Sequence, residues 1–177
     1  MNLFRRLEQL NGIGAALSRE RDIERLLENI LEAAKTLTGA DGGTLYSVTE
    51  SRTALHFEIM RTDSLGIRQG GTTGQRIALP DLPLRHADGS PNDALVAAHS
   101  ALHDRTVNIA DAYAEEGFDF SGTRAFDQRT GYRSQSFLTV PMKNHDGELI
   151  GVLQLLNALD PETGQVVAFS EADQSLT

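Results

Sequence analysis

Apolar positions recur every three or four residues through the first forty positions, then switch to alternation. Leu3, Leu7, Leu10, Gly14 and Leu17 form one stripe; Ile23, Leu26, Leu27, Ile30, Leu31, Ala34 and Leu37 form a second. They predict two helices broken at residues 18–22, with Ser18 or Asp22 as N-cap of the second. Gly39 suits the left-handed position that ends it. Gly12 and Gly14 each weaken the first helix by about 1 kcal/mol relative to alanine. An amphipathic helix needs a partner surface, either its own core or a second subunit. The narrow stripe and charged remainder favour a second subunit, hence a homodimer through the terminal helices.

Period two takes over at Thr44–Val48 and Ala54–Met60, two strands joined by the polar turn Thr49–Arg52. A short strand is expected at Arg76–Leu79, a loop at His86–Pro91, and a helix from Asn92 or Asp93 to about His103. Ala94, Leu95, Ala98 and Leu102 would form its inner face. Thr106–Ile109 reads as a brief strand, and residues 111–133 as short helices and loops. Ser136–Met142 and Leu149–Leu156 are strong strands, and the turn Asn144–Gly147 makes them a hairpin. Asp160–Gly164 is a turn, and Ser170 opens a helix with a capping-type pattern. The fold class is α+β, a central antiparallel sheet of about six strands with helices packed on it. The domain reading is an N-terminal amphipathic helix at residues 1–20 and a domain at 21–177. Less than three turns separate Ser170 from Thr177, so that helix is expected to lead into an effector domain.

The 177 residues suit one domain; 40% are hydrophobic and 23% charged, a globular balance. No apolar run approaches the ~18–20 residues that span a bilayer, so a cytoplasmic, non-membrane location is expected. Residues 1–40 carry six basic and six acidic side chains. The net charge of −9 therefore lies beyond residue 40, and from Asn144 onward there are six acids and no lysine or arginine. Phosphate-backbone binding wants a basic face, which argues against nucleic acid. The absence of cysteine excludes disulfides, thiolate nucleophiles, Cys-ligated metals and thioether-tethered cofactors.

Candidate chemistry is sparse. His99 and His103 stand at i,i+4 on the expected helix, a spacing that puts two imidazoles on one face. No glutamate follows His99 as a metalloprotease helix requires, and the pattern offers no third ligand, so no metal is assigned. No Gly-x-Ser-x-Gly elbow nominates a nucleophile, and the run Gly70–Gly74 lacks the lysine of a phosphate-binding loop. No catalytic residue is assigned, and the chain reads as a non-enzyme. In residues 108–157, Asp127, Thr130 and Ser134 run directly into two core strands. A carboxylate and hydroxyls opening onto a sheet fit a small-molecule pocket; capping a turn of helix explains Asp127 and Thr130 equally well.

Three blocks together resemble a GAF domain of the type found beside cyclic-nucleotide phosphodiesterase and adenylyl cyclase catalytic units. They are Val107–Tyr113, Asp127–Arg133, and Ser136–Met142 with Gly151–Asn157. The nucleotide-binding subset carries a signature Asn-Lys, a spacer, then Phe-x-x-x-Asp-Glu. Here Asn157, Phe169 and Asp173 match, while Ala158 and Gln174 replace the lysine and the glutamate. In that subset a Lys–Asp salt bridge holds the pocket together, so Asp173 is expected either to need another partner or to sit solvated. The resemblance places ligand-lining positions at Asp127, Thr130, Ser134 and Gln154, with Val96 and Ala97 on the helix. It implies a regulatory module that senses a small molecule such as a cyclic nucleotide and controls a phosphohydrolase or cyclase. The alternative is a ligand-free dimerisation module.

Overall fold

The computed structural model describes residues 20–174; the expected first helix, with its Leu3–Leu17 stripe, lies outside them. Helix α1 spans Glu20–Thr38. Gly39 ends it at φ +73°, as the sequence predicts. Strand β1 (Ala40–Val48) and β2 (Ala54–Thr62) form the first hairpin, and β3 (Ile67–Gly70) and β4 (Leu82–Pro83) pair along β2. Helix α2 (Val96–His103), β5 (Val107–Ile109) and α3 (Ser121–Thr130) form the excursion before the hairpin of β6 (Phe137–Lys143) and β7 (Leu149–Leu159). Strand β8 (Val166–Val167) pairs with β7, and the single turn α4 (Glu171–Gln174) follows. The described sheet has eight strands, six of them in the order β3-β2-β1-β7-β6-β5, and all the pairings are antiparallel. The α+β class is therefore as expected.

Alternation divides the sheet into two faces. On one face Leu45, Ile59, Leu138, Val140, Leu153 and Leu155 pack against Ile30, Leu31 and Ala34 of α1. Each such aliphatic side chain contributes about 1.5–3 kcal/mol by leaving water. Glycine permits the close approach of helix to sheet, because a Cβ at Gly43 would stand 2.8 Å from Leu31 Cδ1. The edge of this layer is ionic. Arg61, 2% exposed, donates to the carbonyls of Met60 and Gln69, each at 3.0 Å, and pairs with Glu28 at 3.3 Å. Its burial lowers the guanidinium pKa, and Glu28 opposes that shift. Lys35, equally buried, pairs with Asp63 at 2.7 Å and Glu32 at 3.3 Å.

The opposite face presents Tyr46, Thr139, Val152 and Gln154. Helix α2 covers part of it, with Ala97 and Ala98 beside Tyr46 and Val152, and Val96 beside Phe120 and Phe137.

Several local expectations fail. Residues 76–79 are not a strand; β3 and β4 flank that segment and pair with β2 at Ile59–Thr62 and at Ala54–Leu55. Neither Asn92 nor Asp93 caps α2, which starts after Leu95 with no side-chain cap. Asn92 is spent elsewhere, its side chain donating to the Pro83 carbonyl at 2.8 Å. The late start turns the helix so that Ala94 is exposed and Val96, Ala97, Ala98 and Ser100 are buried.

Candidate functional site

Asp127 lies in the last turns of α3 and is 5% exposed. Its carboxylate accepts from the Ser134 backbone N–H at 2.9 Å, from Ser134 Oγ at 2.6 Å and from the Tyr113 hydroxyl. That last hydrogen bond raises the Tyr113 pKa, since the phenolate would lose its donor role beside a carboxylate. The local chain explains the geometry. Gly131 at φ +74° ends α3 and returns its N–H to the Asp127 carbonyl, bringing Ser134 back over the helix end. Arg133 lies over the Tyr113 ring, 4.2 Å from its centroid.

Beside this knot is an open concavity of about 620 Å³ lined by Tyr113, Arg124, Asp127, Gln128, Gly131 and Tyr132. The Tyr132 hydroxyl donates to Asp41 at 2.6 Å, and Asp41 also accepts from the Ser64 N–H and hydroxyl at 3.1 and 2.5 Å. Burial and the Asp41 carboxylate both raise the Tyr132 pKa.

The residues nominated from sequence do not form one cluster. Asp127 and Ser134 are bonded together. The Thr130 hydroxyl turns back to its own helix, donating to the Phe126 carbonyl at 2.8 Å. Gln154 sits on the sheet face, where its Nε2 donates to Thr139 at 3.1 Å and its Oε1 meets the Tyr46 hydroxyl at 3.5 Å. Tyr46 is buried, which raises its pKa. Val96 and Ala97, in the first turn of α2, are buried. Of the six, only Asp127 lines the concavity.

The signature positions are structural. Asn157 sits at φ +55°, a conformation Asn tolerates better than most residues. Its Oδ1 accepts from the N–H groups of Gln135 and Ser136 at 2.7 and 3.1 Å, and its Nδ2 donates to the Arg133 carbonyl at 2.8 Å. The segment carrying Ser134 is thereby sewn to β7. Ser136 Oγ donates onward to the Val167 carbonyl at 2.7 Å, and Asn108 donates to the Phe169 carbonyl at 3.0 Å. Phe169 is buried in the α1-side core. Of the two outcomes open to Asp173, a new partner or solvation, the structure shows a partner in Ser170. Its Oδ2 accepts from the Ser170 N–H at 2.9 Å, and its own N–H donates to Ser170 Oγ at 3.1 Å, a capping box.

Sequence reading missed Tyr113 and Asp41 as partners. Tyr113 is fourteen residues from Asp127, and Asp41 is ninety-one from Tyr132, so no local spacing announces either contact.

The GAF domain family model matches residues 22–177. The chain belongs to the GAF domain family. Among curated relatives, the Drosophila melanogaster cGMP-specific 3′,5′-cyclic phosphodiesterase is 28% identical over 160 residues, 89% of this chain and 13% of that protein. The dual 3′,5′-cyclic-AMP and -GMP phosphodiesterase 11 of the same organism is 37% identical over 81 residues, 46% of this chain and 5% of that protein. The chain thus spans a small fraction of these relatives. The GAF domain of a phosphoenolpyruvate-protein phosphotransferase from Coxiella burnetii shares the fold, with TM-score 0.59 and 16% identity over 99% of this chain and 86% of that one. GAF membership supports a regulatory sensing role in signalling, without catalysis by the domain itself. No described helix is long and apolar enough to cross a membrane.

Proposed function

We propose that this GAF domain takes a cyclic nucleotide or a ligand of similar size, and that occupancy controls a phosphohydrolase or cyclase in the same polypeptide. The observation that carries this reading is the position of Asp127, a buried carboxylate at the wall of a 620 Å³ concavity that also exposes Arg124. A carboxylate accepts from base N–H groups, and a guanidinium suits a phosphate. The two phosphodiesterases matched above support the ligand class and the kind of effector.

In this reading the ligand competes with Tyr113 and Ser134 for Asp127. Ser134 adjoins the segment held by Asn157, and Ser136 and Asn108 reach Val167 and Phe169 just before α4. A shift at Asp127 therefore has a bonded route to the chain's last described helix. The ligand moves that equilibrium only by its difference in affinity for the two arrangements. The N-terminal segment 1–20 and the helix begun at Ser170 would then pair subunits and carry the signal to the effector, in the cytoplasm.

A second reading, a ligand-free dimerisation module, is favoured by the mutual satisfaction of Asp127, Ser134 and Tyr113, and by Leu37, 63% exposed on α1. Thermal unfolding with cyclic AMP, cyclic GMP and cyclic di-GMP separates the two readings. A ligand at 100 times its dissociation constant adds about 2.7 kcal/mol. A shift that is lost in Asp127→Asn or Ser134→Ala supports the sensor. No shift with any of the three, and no small molecule released on denaturation in mass spectrometry, supports the dimerisation module.

A further inference from the structure

Away from the Asp127 knot, α2 and the segment leading into it carry a second constellation. His99 and His103 lie one helical turn apart with ring centroids 4.5 Å from each other. Asp93, from the segment before the helix, turns its Oδ1 to both, 2.7 Å from His103 Nε2 and 3.3 Å from His99 Nδ1. The three ligand atoms all lie within 4.8 Å of one another. We propose that Asp93, His99 and His103 form a divalent transition-metal site of the zinc class, with the remaining coordination positions open to water.

The chemistry of the donors supports this. Two imidazoles and one carboxylate suit zinc and its first-row neighbours, whereas magnesium and calcium favour oxygen-only sets. Around a tetrahedral ion with bonds of ~2.0–2.1 Å, ligand atoms stand about 3.3–3.4 Å apart. The Asp93–His99 separation already has that value. Binding would open the Asp93–His103 hydrogen bond and draw the two imidazoles together.

The frame around the three residues is fixed. Asn92, adjacent to Asp93, is pinned from both sides, its backbone N–H donating to Leu84 and its side chain to Pro83. On the other side the Asp119 N–H donates to the Ala94 carbonyl at 2.6 Å, and Phe118 meets His99 edge-on at 5.3 Å. Among the described residues no lysine or arginine pairs with Asp93. The side chains are part-exposed, 26% for His99, 42% for His103 and 46% for Asp93, so an ion can enter from solvent. A bound ion would clamp the lead-in segment to the helix whose buried side carries Val96 and Ala97.

Isothermal titration of untagged, chelator-stripped protein with Zn²⁺, and visible spectroscopy with Co²⁺, test the site. The expected result is one saturable Zn²⁺ per chain that Mg²⁺ does not displace. Asp93→Asn, His99→Gln and His103→Gln should each weaken binding about tenfold or more. The double variant His99→Gln/His103→Gln should lose it together with the Co²⁺ absorption. His56→Gln, which breaks the separate His56–Asp81 pair, is the control and should bind as the wild type does. These side chains are part-exposed, so circular dichroism should find every variant folded. Absence of saturable Zn²⁺ binding, or wild-type affinity in the folded double variant, overturns the proposal.

Discussion

Under α1 the sheet offers Leu45, Ile59, Val140, Leu153 and Leu155 to a helix that answers with Ile30, Leu31 and Ala34. Under α2 the neighbouring positions of the same strands are Tyr46, Thr139 and Gln154, linked by hydrogen bonds through Gln154, and Asp127 with Ser134 forms a separate polar cluster. The first face is held by apolar area, which is insensitive to small displacements because it is non-directional. The second combines apolar packing under α2 with hydrogen bonds among Tyr46, Thr139 and Gln154, which hold only within narrow limits of distance and angle. The two sides of one sheet, joined by β1 and β7 at its centre, thus differ in how much of their packing is directional.

Breaking the apolar side should have the larger effect. Leu31→Ala, at a fully buried position between helix and sheet, should cost about 2–5 kcal/mol in denaturant unfolding. The cavity it leaves should not alter hydrogen exchange at Ser134. On the polar side, Asp127→Ala strips the acceptor from Ser134 and Tyr113, and a global loss of about 1–3 kcal/mol is expected. Exchange protection should fall at the Ser134 amide and not in β1. A loss spread evenly over both faces would erase the distinction.

Ala158→Lys sharpens the comparison at the sheet end. Ala158 is 3% exposed in the α1-side core, and Asp173 is already held by Ser170. Introducing the family's lysine should therefore destabilise the chain by about 1–3 kcal/mol through overpacking. A rise in melting temperature would mean that the Asp173 carboxylate prefers the ammonium to its cap.

The smallest effect concerns acid. The Ser121 hydroxyl and N–H hold the Asp119 carboxyl below its usual value. A depressed folded pKa contributes stability that is present above the unfolded value, ~3.9, and is lost as pH falls through the folded one. Asp119→Asn should slightly flatten the acid limb of melting temperature against pH and leave it unchanged near neutrality.

Much of the scaffold was legible along the chain. The α1 stripe, the stop at Gly39, the 144–147 hairpin and the turn at 160–164 are local, set by side-chain period and by the few residues that accept tight turns. The blocks at 107–113, 127–133, and 136–142 with 151–157 also pointed to the family whose model matches residues 22–177. The site was less legible. Asp127 and Ser134 were nominated seven residues apart and do meet, yet Thr130 spends its hydroxyl on its own helix and Gln154 joins a different network. The i,i+4 histidines were visible, but Asp93 was read as a cap.

What the sequence by itself determined was period, turn and family, because each is carried by neighbouring residues or by short blocks whose order the chain preserves. Only the tertiary structure decided the partners of the polar side chains. Tyr113 reaches Asp127, Tyr132 reaches Asp41, and Arg61 reaches Glu28 from another layer, contacts formed after sheet and helices have packed. A buried donor or acceptor takes whichever partner the fold brings within about 3 Å, and that distance is not encoded in separation along the chain.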